Sequence, residues 1–215
     1  MQGDSCSMEE FLQEYSTIYY WQNRKDYEKI IDGIASINNK KTKINKPNLE
    51  NIMAWKMGLL KKFGDENTIV RTGAIIKEDG ATKLKGRVKV NIDDLLDKIE
   101  KINFSGELKE ILKELKRVEG IGTVYAITIL HFVDRKKWPI YDRFADIALK
   151  AIEDDCSPWS EINELQLVSD SSSLNTQVTL YEKYKKRLND VFGKEYDYRK
   201  VDQALWVYGH MFKKK

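Results

Sequence analysis

A chain of 215 residues, 41% hydrophobic and 33% charged, is globular rather than disordered and long enough for one domain or two small lobes. Cys6 and Cys156 offer neither a disulfide framework nor metal-site spacing, no apolar run approaches the ~20 residues of a membrane span, and the acidic start MQGDSCSMEE lacks a signal-peptide core. The cysteine usage makes a reducing cytoplasm the expected setting, on the nucleoid if the source is bacterial, and the net charge of +3 permits nucleic-acid binding through local patches without requiring it.

Only Pro47, Pro139 and Pro158 interrupt the chain, and most long segments carry helical period. Glu9 to Trp21 reads as an aromatic-rich helix, and Asp26 to Ile37 as a second with Ile30, Ile31, Ile34 and Ile37. After a connector that is basic from Lys40, Asn48 is the expected N-cap of a helix carrying Leu49, Ile52, Met53, Trp55, Met57 and Leu60, which Gly64 ends. Thr68 to Val90 is the least helical stretch and reads as a loop or small hairpin. Asn91 is placed to cap a helix with Leu95, Leu96 and Ile99, and Ser105 to cap another whose stripe is Leu108, Ile111, Leu112, Leu115 and Val118. Val124 to Val133 is apolar almost all round, which predicts a central buried helix. Helices over Asp142 to Ile152, Thr176 to Phe192 and Asp197 to Phe212 complete an all-α reading, with Ser171 to Ser173 as a loop.

The stretch with the most chemistry is VEGIGTVYAITILHFVDRKKWPIYDRF, Val118 to Phe144. Gly120 and Gly122 allow a sharp turn between two helices, and the second helix starts near Thr123 with unpaired backbone N–H groups and a positive dipole end. Those groups make a phosphate site, and Lys109, Lys113, Lys116 and Arg117 supplement it. Asp142 opens the next helix, where an aspartate caps, and where the dipole favours its anion.

This pattern resembles the helix-hairpin-helix (HhH-GPD) DNA glycosylase superfamily, which includes endonuclease III, 8-oxoguanine DNA glycosylase and AlkA. The family has a Leu-Pro-Gly-(Val/Ile)-Gly hairpin, a buried helix, and an apolar-Pro-Val-Asp segment. Here these match VEGIGT, VYAITILHFV and WPIYD, over about Leu108 to Ile152. The resemblance implies a multi-helix glycosylase-like fold with a central helix-hairpin-helix. It would be one unit of two lobes over 1–215, with the hairpin at 106–134 and the aspartate segment at 135–152. It implies a duplex-DNA partner, backbone contacts from Gly120, Ile121, Gly122, Thr123, Lys116 and Lys136, and Asp142 as the catalytic carboxylate. Val124 stands where bifunctional members carry their lysine, so the Schiff-base step is not expected. Glu119 replaces the hairpin proline, and the cluster cysteines of endonuclease III are missing.

The implied reaction is hydrolysis of an N-glycosidic bond by a monomeric, monofunctional enzyme without cofactor or metal, on a damaged or modified base flipped from the duplex. The last helix is expected to bury Val201, Ala204, Leu205, Tyr208, Met211 and Phe212, leaving Arg199, Gln203, Trp206 and His210 on the opposite face. By similarity Gln203 and Trp206, with Tyr141 beside the aspartate, are the expected base-pocket residues. A Trp206 packed on the N-terminal helix and a core Tyr141 with a bonded hydroxyl are the alternatives, and His131 reads as a core histidine. The runs Lys40–Lys43, Arg135–Lys137, Lys183–Arg187 and Lys213–Lys215 are candidate phosphate contacts or solvated faces. Two other readings stay open: a catalytically silent hairpin module that binds DNA, and a helical interaction protein.

Overall fold

The structure, a computed structural model, describes residues 7–22, 29, 31–34, 44–56, 68–78, 81–154, 165–194 and 196–211. It is mostly helical, with one antiparallel hairpin. The elements are α1 (Met8–Gln22), α2 (Lys46–Lys56), β1 (Thr68–Glu78), β2 (Ala81–Asn91), α3 (Ile92–Lys101), α4 (Leu108–Leu115), α5 (Thr123–Val133), α6 (Arg143–Glu153), α7 (Leu174–Phe192) and α8 (Tyr198–Met211). The chain divides into two units, Met1–Ile30 with Asp134–Lys215, and Ile31–Val133.

In the central unit the helix starts follow side-chain caps, though not always the expected ones. Asn45, not Asn48, caps α2: its Oδ1 accepts the Asn48 N–H at 3.0 Å and its carbonyl accepts that of Leu49 at 2.9 Å. Pro47 then falls in the first turn, where a missing N–H costs nothing. The expected continuation through Met57 and Leu60 to Gly64 lies outside the described residues, as does most of Asp26 to Ile37, of which residues 31–34 are helical. The loop or small hairpin expected at Thr68 to Val90 is a long one, two eleven-residue strands paired from Thr68↔Asn91 to Glu78↔Ala81, with register shifts between Arg71 and Ala74. Asn91 ends β2 in an extended conformation and caps α3 at once, accepting from Asp93 and Asp94 at 2.9 and 3.2 Å. Ser105 does not cap α4. The N-cap is Glu107, which makes no side-chain cap bond, and the Ser105 N–H is spent on Asn103 Oδ1.

The core of this unit is aliphatic. Leu49, Ile52 and Met53 of α2 are fully buried, as are Leu95 of α3, Leu112 and Leu115 of α4, and Ile127, Ile129 and Leu130 of α5. Eight of the eleven α5 residues are buried, including Thr123, Thr128 and His131, so α5 is the buried helix that its composition predicts. Trp55 meets Phe132 edge-on at 6.1 Å.

In the terminal unit α8 packs along both α1 and α6. Phe11 and Tyr15 of α1 meet Tyr208 edge-on at 5.5 and 5.2 Å, and Tyr19 meets Trp206 at 5.5 Å. Gly209 sits where a Cβ would run into the Phe144 carbonyl, so the glycine sets how closely α8 approaches the start of α6. Two-sided packing corrects the expected faces of α8. Arg199 and Gln203 are buried with the apolar stripe, whereas Met211, assigned to the core, is 52% exposed. Phe212 lies outside the described residues. Ser173 caps α7, which starts at Leu174, two residues before the expected Thr176, and its hydroxyl accepts from Thr176 N at 3.2 Å.

Candidate functional site

The two halves of the sequence motif belong to different units: the hairpin to the central one, Asp142 to the terminal one. In the hairpin, α4 unwinds through Lys116, whose N–H still reaches Leu112 at 3.0 Å. Bonds that span three residues rather than four follow, Arg117 N to Glu114 O at 3.3 Å and Val118 N to Leu115 O at 3.1 Å. Gly120 then takes φ 82°, a left-handed conformation that costs a side-chain-bearing residue ~1 kcal/mol or more. Gly122 has no such φ. It serves as the cap position of α5, its carbonyl accepting the Ala126 N–H at 2.9 Å. The first-turn N–H groups of α5 have no acceptor within the helix, which is the general basis for an anion site there.

The hairpin residues separate on inspection. The Ile121 side chain is buried and its N–H closes the turn on Val118 O at 3.1 Å, so this N–H is engaged within the hairpin. Thr123 is fully buried, and Lys116 Nζ donates to its Oγ1 at 2.8 Å, tying the end of α4 to the start of α5. Gly120 and Gly122 are half-buried, and Glu119 is exposed. The α4 cations are largely matched by carboxylates: Lys113 with Glu110 at 3.3 Å, Arg117 with Glu114 at 2.5 Å, and Lys98 of α3 with Glu114 at 3.1 Å. The Lys98 hydrogen bond, with both nearby cations, holds the Glu114 carboxyl below its ordinary range despite some desolvation.

Asp142 lies at the end of a buried segment outside the helices, Trp138 to Tyr141. Tyr181 donates to the Pro139 carbonyl at 2.8 Å, which pins that segment to α7. Asp142 is half-buried with extended backbone, φ −137° and ψ 139°. Its Oδ1 accepts the Phe144 N–H at 2.9 Å as the cap of α6.

Comparison with protein-family models, with curated proteins and with solved structures finds no match to this chain.

The residues expected to line a base pocket fare differently. Tyr141 is a core residue: its hydroxyl donates to Asp146 Oδ2 at 3.0 Å and accepts from Val168 N at 3.0 Å. Burial, then the Asp146 charge, pushes its hydroxyl well above the ordinary range. Gln203 is buried and donates to Tyr20 OH at 3.3 Å. Trp206 packs against Tyr19 of the N-terminal helix, yet stays half-buried. It also packs on His210, tilted by 36° at 3.8 Å, which packs on Phe144, tilted by 37° at 3.6 Å, with Arg143 over the Phe144 ring at 4.7 Å. This ladder ends at the residue whose N–H binds Asp142. Sequence reading placed Trp206 and His210 on one face but missed Phe144, because an i, i+4 pattern says nothing about which partner helix supplies the next ring.

A second cluster was also missed. Asp146, buried, accepts from Arg187 Nη1 at 2.7 Å, and Arg187 Nε reaches Glu153 at 2.7 Å. Burial raises the Asp146 pKa, while Arg187 and the Tyr141 hydrogen bond oppose the shift. Arg187 therefore belongs to an internal network rather than to the basic face suggested by Lys183–Arg187. In Arg135–Lys137, Lys136 is exposed, Arg135 pairs with Asp197 at 3.4 Å, and Lys137 lies over the Trp138 ring at 4.6 Å. Lys40–Lys43 and Lys213–Lys215 lie outside the described residues. Among the described residues no group of three or more His, Cys, Asp or Glu is placed to hold a metal ion, and no helix is long and apolar enough to cross a membrane.

Proposed function

We propose that the protein is a monofunctional DNA glycosylase that hydrolyses the N-glycosidic bond of a damaged or modified base flipped from duplex DNA. It acts as a monomer in the cytoplasm. The α5 start and Gly120, with Lys116 and Lys136, hold backbone phosphates. As the bond between C1′ and the base nitrogen breaks, the base leaves with the electron pair and takes up a proton, and positive charge builds on the sugar ring. The Asp142 carboxylate stabilises that charge and accepts a proton from the water that bonds to C1′. Trp206 and His210, at the partly open end of the ladder, offer the flipped base a stacking face.

The observation that carries this reading is Asp142 itself, a half-buried carboxylate at the start of α6, bonded to the backbone of the residue that begins the aromatic ladder. Family spacing from the Gly-x-Gly turn supports it. One observation favours a second reading, a catalytically silent hairpin module that binds DNA: the Asp142 carboxylate already serves as a helix cap, and Tyr141 and Gln203 are committed to the core.

Single-turnover base release from a panel of duplexes separates the two. The panel carries 8-oxoguanine, uracil, alkylated purines, mismatched adenine and hypermodified cytosines, with alkali to cut abasic sites. Asn caps helices as well as Asp does, so Asp142→Asn keeps the cap and removes the charge. Release by the wild type, lost by about 100-fold or more in Asp142→Asn at unchanged DNA affinity, is the expected result. Binding without release from any duplex supports the silent module.

A further inference from the structure

The turn after α5 and the junction between α7 and α8 enclose a cleft of about 420 Å³, lined by Arg135, Lys136, Lys194, Tyr196, Asp197 and Tyr198. Of these, Arg135 and Lys136 belong to the motif stretch, and the other four do not. Three cations face one carboxylate, and two phenol rings complete the lining.

Both walls are held in place. Asp134 Oδ1 accepts the Lys136 and Lys137 N–H groups at 3.1 and 3.2 Å, and its carbonyl accepts that of Trp138 at 3.0 Å. This tight turn sets Arg135 and Lys136 side by side. Across the cleft, Gly193 ends α7 with φ 81° and redirects the chain toward Lys194 and Tyr196. Tyr198 donates to Asn189 Oδ1 at 2.7 Å, which ties the start of α8 to α7. Asp197 Oδ1 caps α8 through Arg199 N at 2.9 Å, while Oδ2 lies 3.4 Å from Arg135 Nη2. A guanidinium has five N–H donors, and one long contact orients it while using little of that capacity. Lys136 and Lys194 are exposed.

Concave surfaces that combine cations with aromatic rings suit a nucleic-acid strand, the cations taking phosphate and a ring taking sugar or base. The volume lies within the ~300–1,000 Å³ of small-ligand clefts. We propose that this cleft is a second phosphate-binding subsite for a DNA strand, with Arg135, Lys136 and Lys194 on one backbone phosphate and Tyr196 against the adjoining sugar or base. The subsite extends the DNA reading above and rests on it.

The test is fluorescence anisotropy of a labelled duplex against salt concentration, for the wild type, Lys194→Gln/Tyr196→Leu and Lys194→Arg. Both substituted side chains are outside the core, and thermal unfolding verifies that the variants fold. The double variant should bind about 10-fold more weakly at 0.1 M salt, with a log–log salt slope shallower by about 1, and Lys194→Arg should keep the wild-type slope. A double variant with wild-type affinity and slope overturns the subsite and leaves the DNA reading standing. A wild type that binds no duplex at any salt sinks both, so the two failures are distinguishable.

Discussion

The two units solve the same packing problem with different materials. In the central unit the fully buried apolar side chains among the described residues are Leu, Ile, Val, Ala, Met and Phe, and the buried polar ones are Thr123, Thr128 and His131. In the terminal unit Tyr141, Tyr181 and Tyr184 are fully buried, and Asp146, Gln177, Arg199, Asp202 and Gln203 are buried as well. Arg199 pairs with Asp202 at 2.9 Å inside the core, and its guanidinium also lies over the Tyr19 ring. An aliphatic core is held by area and volume and is indifferent to pH. A core of phenols and ion pairs is held by partners, so its register is specified but its stability follows protonation.

The largest expected effect uses that difference. Burial is the first cause that raises the pKa of Tyr141, Tyr181 and Tyr184, all above the ordinary 10.0. A folded-state pKa above the unfolded one gives stability that is complete below the unfolded value and lost as pH rises past it. As pH rises past 10 the unfolded chain releases up to three protons that the folded chain keeps, so the slope should steepen toward a limit of about 4 kcal/mol per pH unit. The Tyr184 hydroxyl has no hydrogen-bond partner among the described residues. Tyr184→Phe should therefore be near neutral at pH 7 and cut the alkaline slope by about a third. Leu130→Ala in the central unit should cost about 3 kcal/mol, the same at pH 7 and pH 10.5. Thermal unfolding midpoints between pH 7 and 11 check all of this. A Tyr184→Phe protein with the wild-type slope would break the comparison.

Arg187 gives the next effect. It faces Asp146 and Glu153 together, so Arg187→Met leaves a buried carboxylate without its cation, at a cost of about 3 kcal/mol at pH 7. The deficit should shrink as pH is lowered, because removing Arg187 lifts the Asp146 pKa further and a protonated carboxyl needs no counter-ion. Adding Asp146→Asn should recover part of the loss. Denaturant unfolding at pH 5 and pH 7 reads both. A deficit that does not change with pH would mean Arg187 acts through its aliphatic packing alone.

The same contrast explains what was legible in the sequence. The central unit could be read because a core of Leu and Ile at i, i+3 and i+4 produces the periodic signal that helix reading depends on. The α4 stripe of Leu108, Ile111, Leu112 and Leu115 and the mostly apolar α5 are both where the sequence pattern puts them. In the terminal unit Arg187, Arg199, Asp146 and Asp202 look like surface residues in one dimension. They are internal because each has a partner in space, which spacing cannot reveal. Caps were legible where the side chain had a clear first turn to serve, as at Asn91 and Asp142. They were misread at Asn48 and Ser105, where another Asn or a loop residue stood within three positions. Of the candidate site, the Asp142 cap and the Gly120 turn were readable. The Phe144–His210–Trp206 ladder was not, because two helices distant in sequence supply it.

The smallest effect tests whether that ladder depends on close helix approach. Any side chain at Gly209 would meet the Phe144 carbonyl, which belongs to backbone and cannot turn aside. Gly209→Ala must therefore push α8 away from the start of α6, at a cost of about 1–3 kcal/mol as overpacking, offset in part by the better helix propensity of alanine. The displacement acts on the ladder of Phe144, His210 and Trp206, whose neighbouring rings lie within 3.8 Å centroid to centroid, and on the first turn that Asp142 caps. Tryptophan emission of Gly209→Ala should shift toward the red relative to wild type as Trp206 loses its neighbour, with helix content unchanged by circular dichroism. If Asp142 chemistry depends on the ladder, base release should drop in this variant without a change in the salt dependence of DNA binding. An unchanged emission spectrum would mean that the interface accommodates a methyl by shifting as a rigid pair. The ladder and Asp142 would then be set by α6 and α8 separately rather than by the glycine between them.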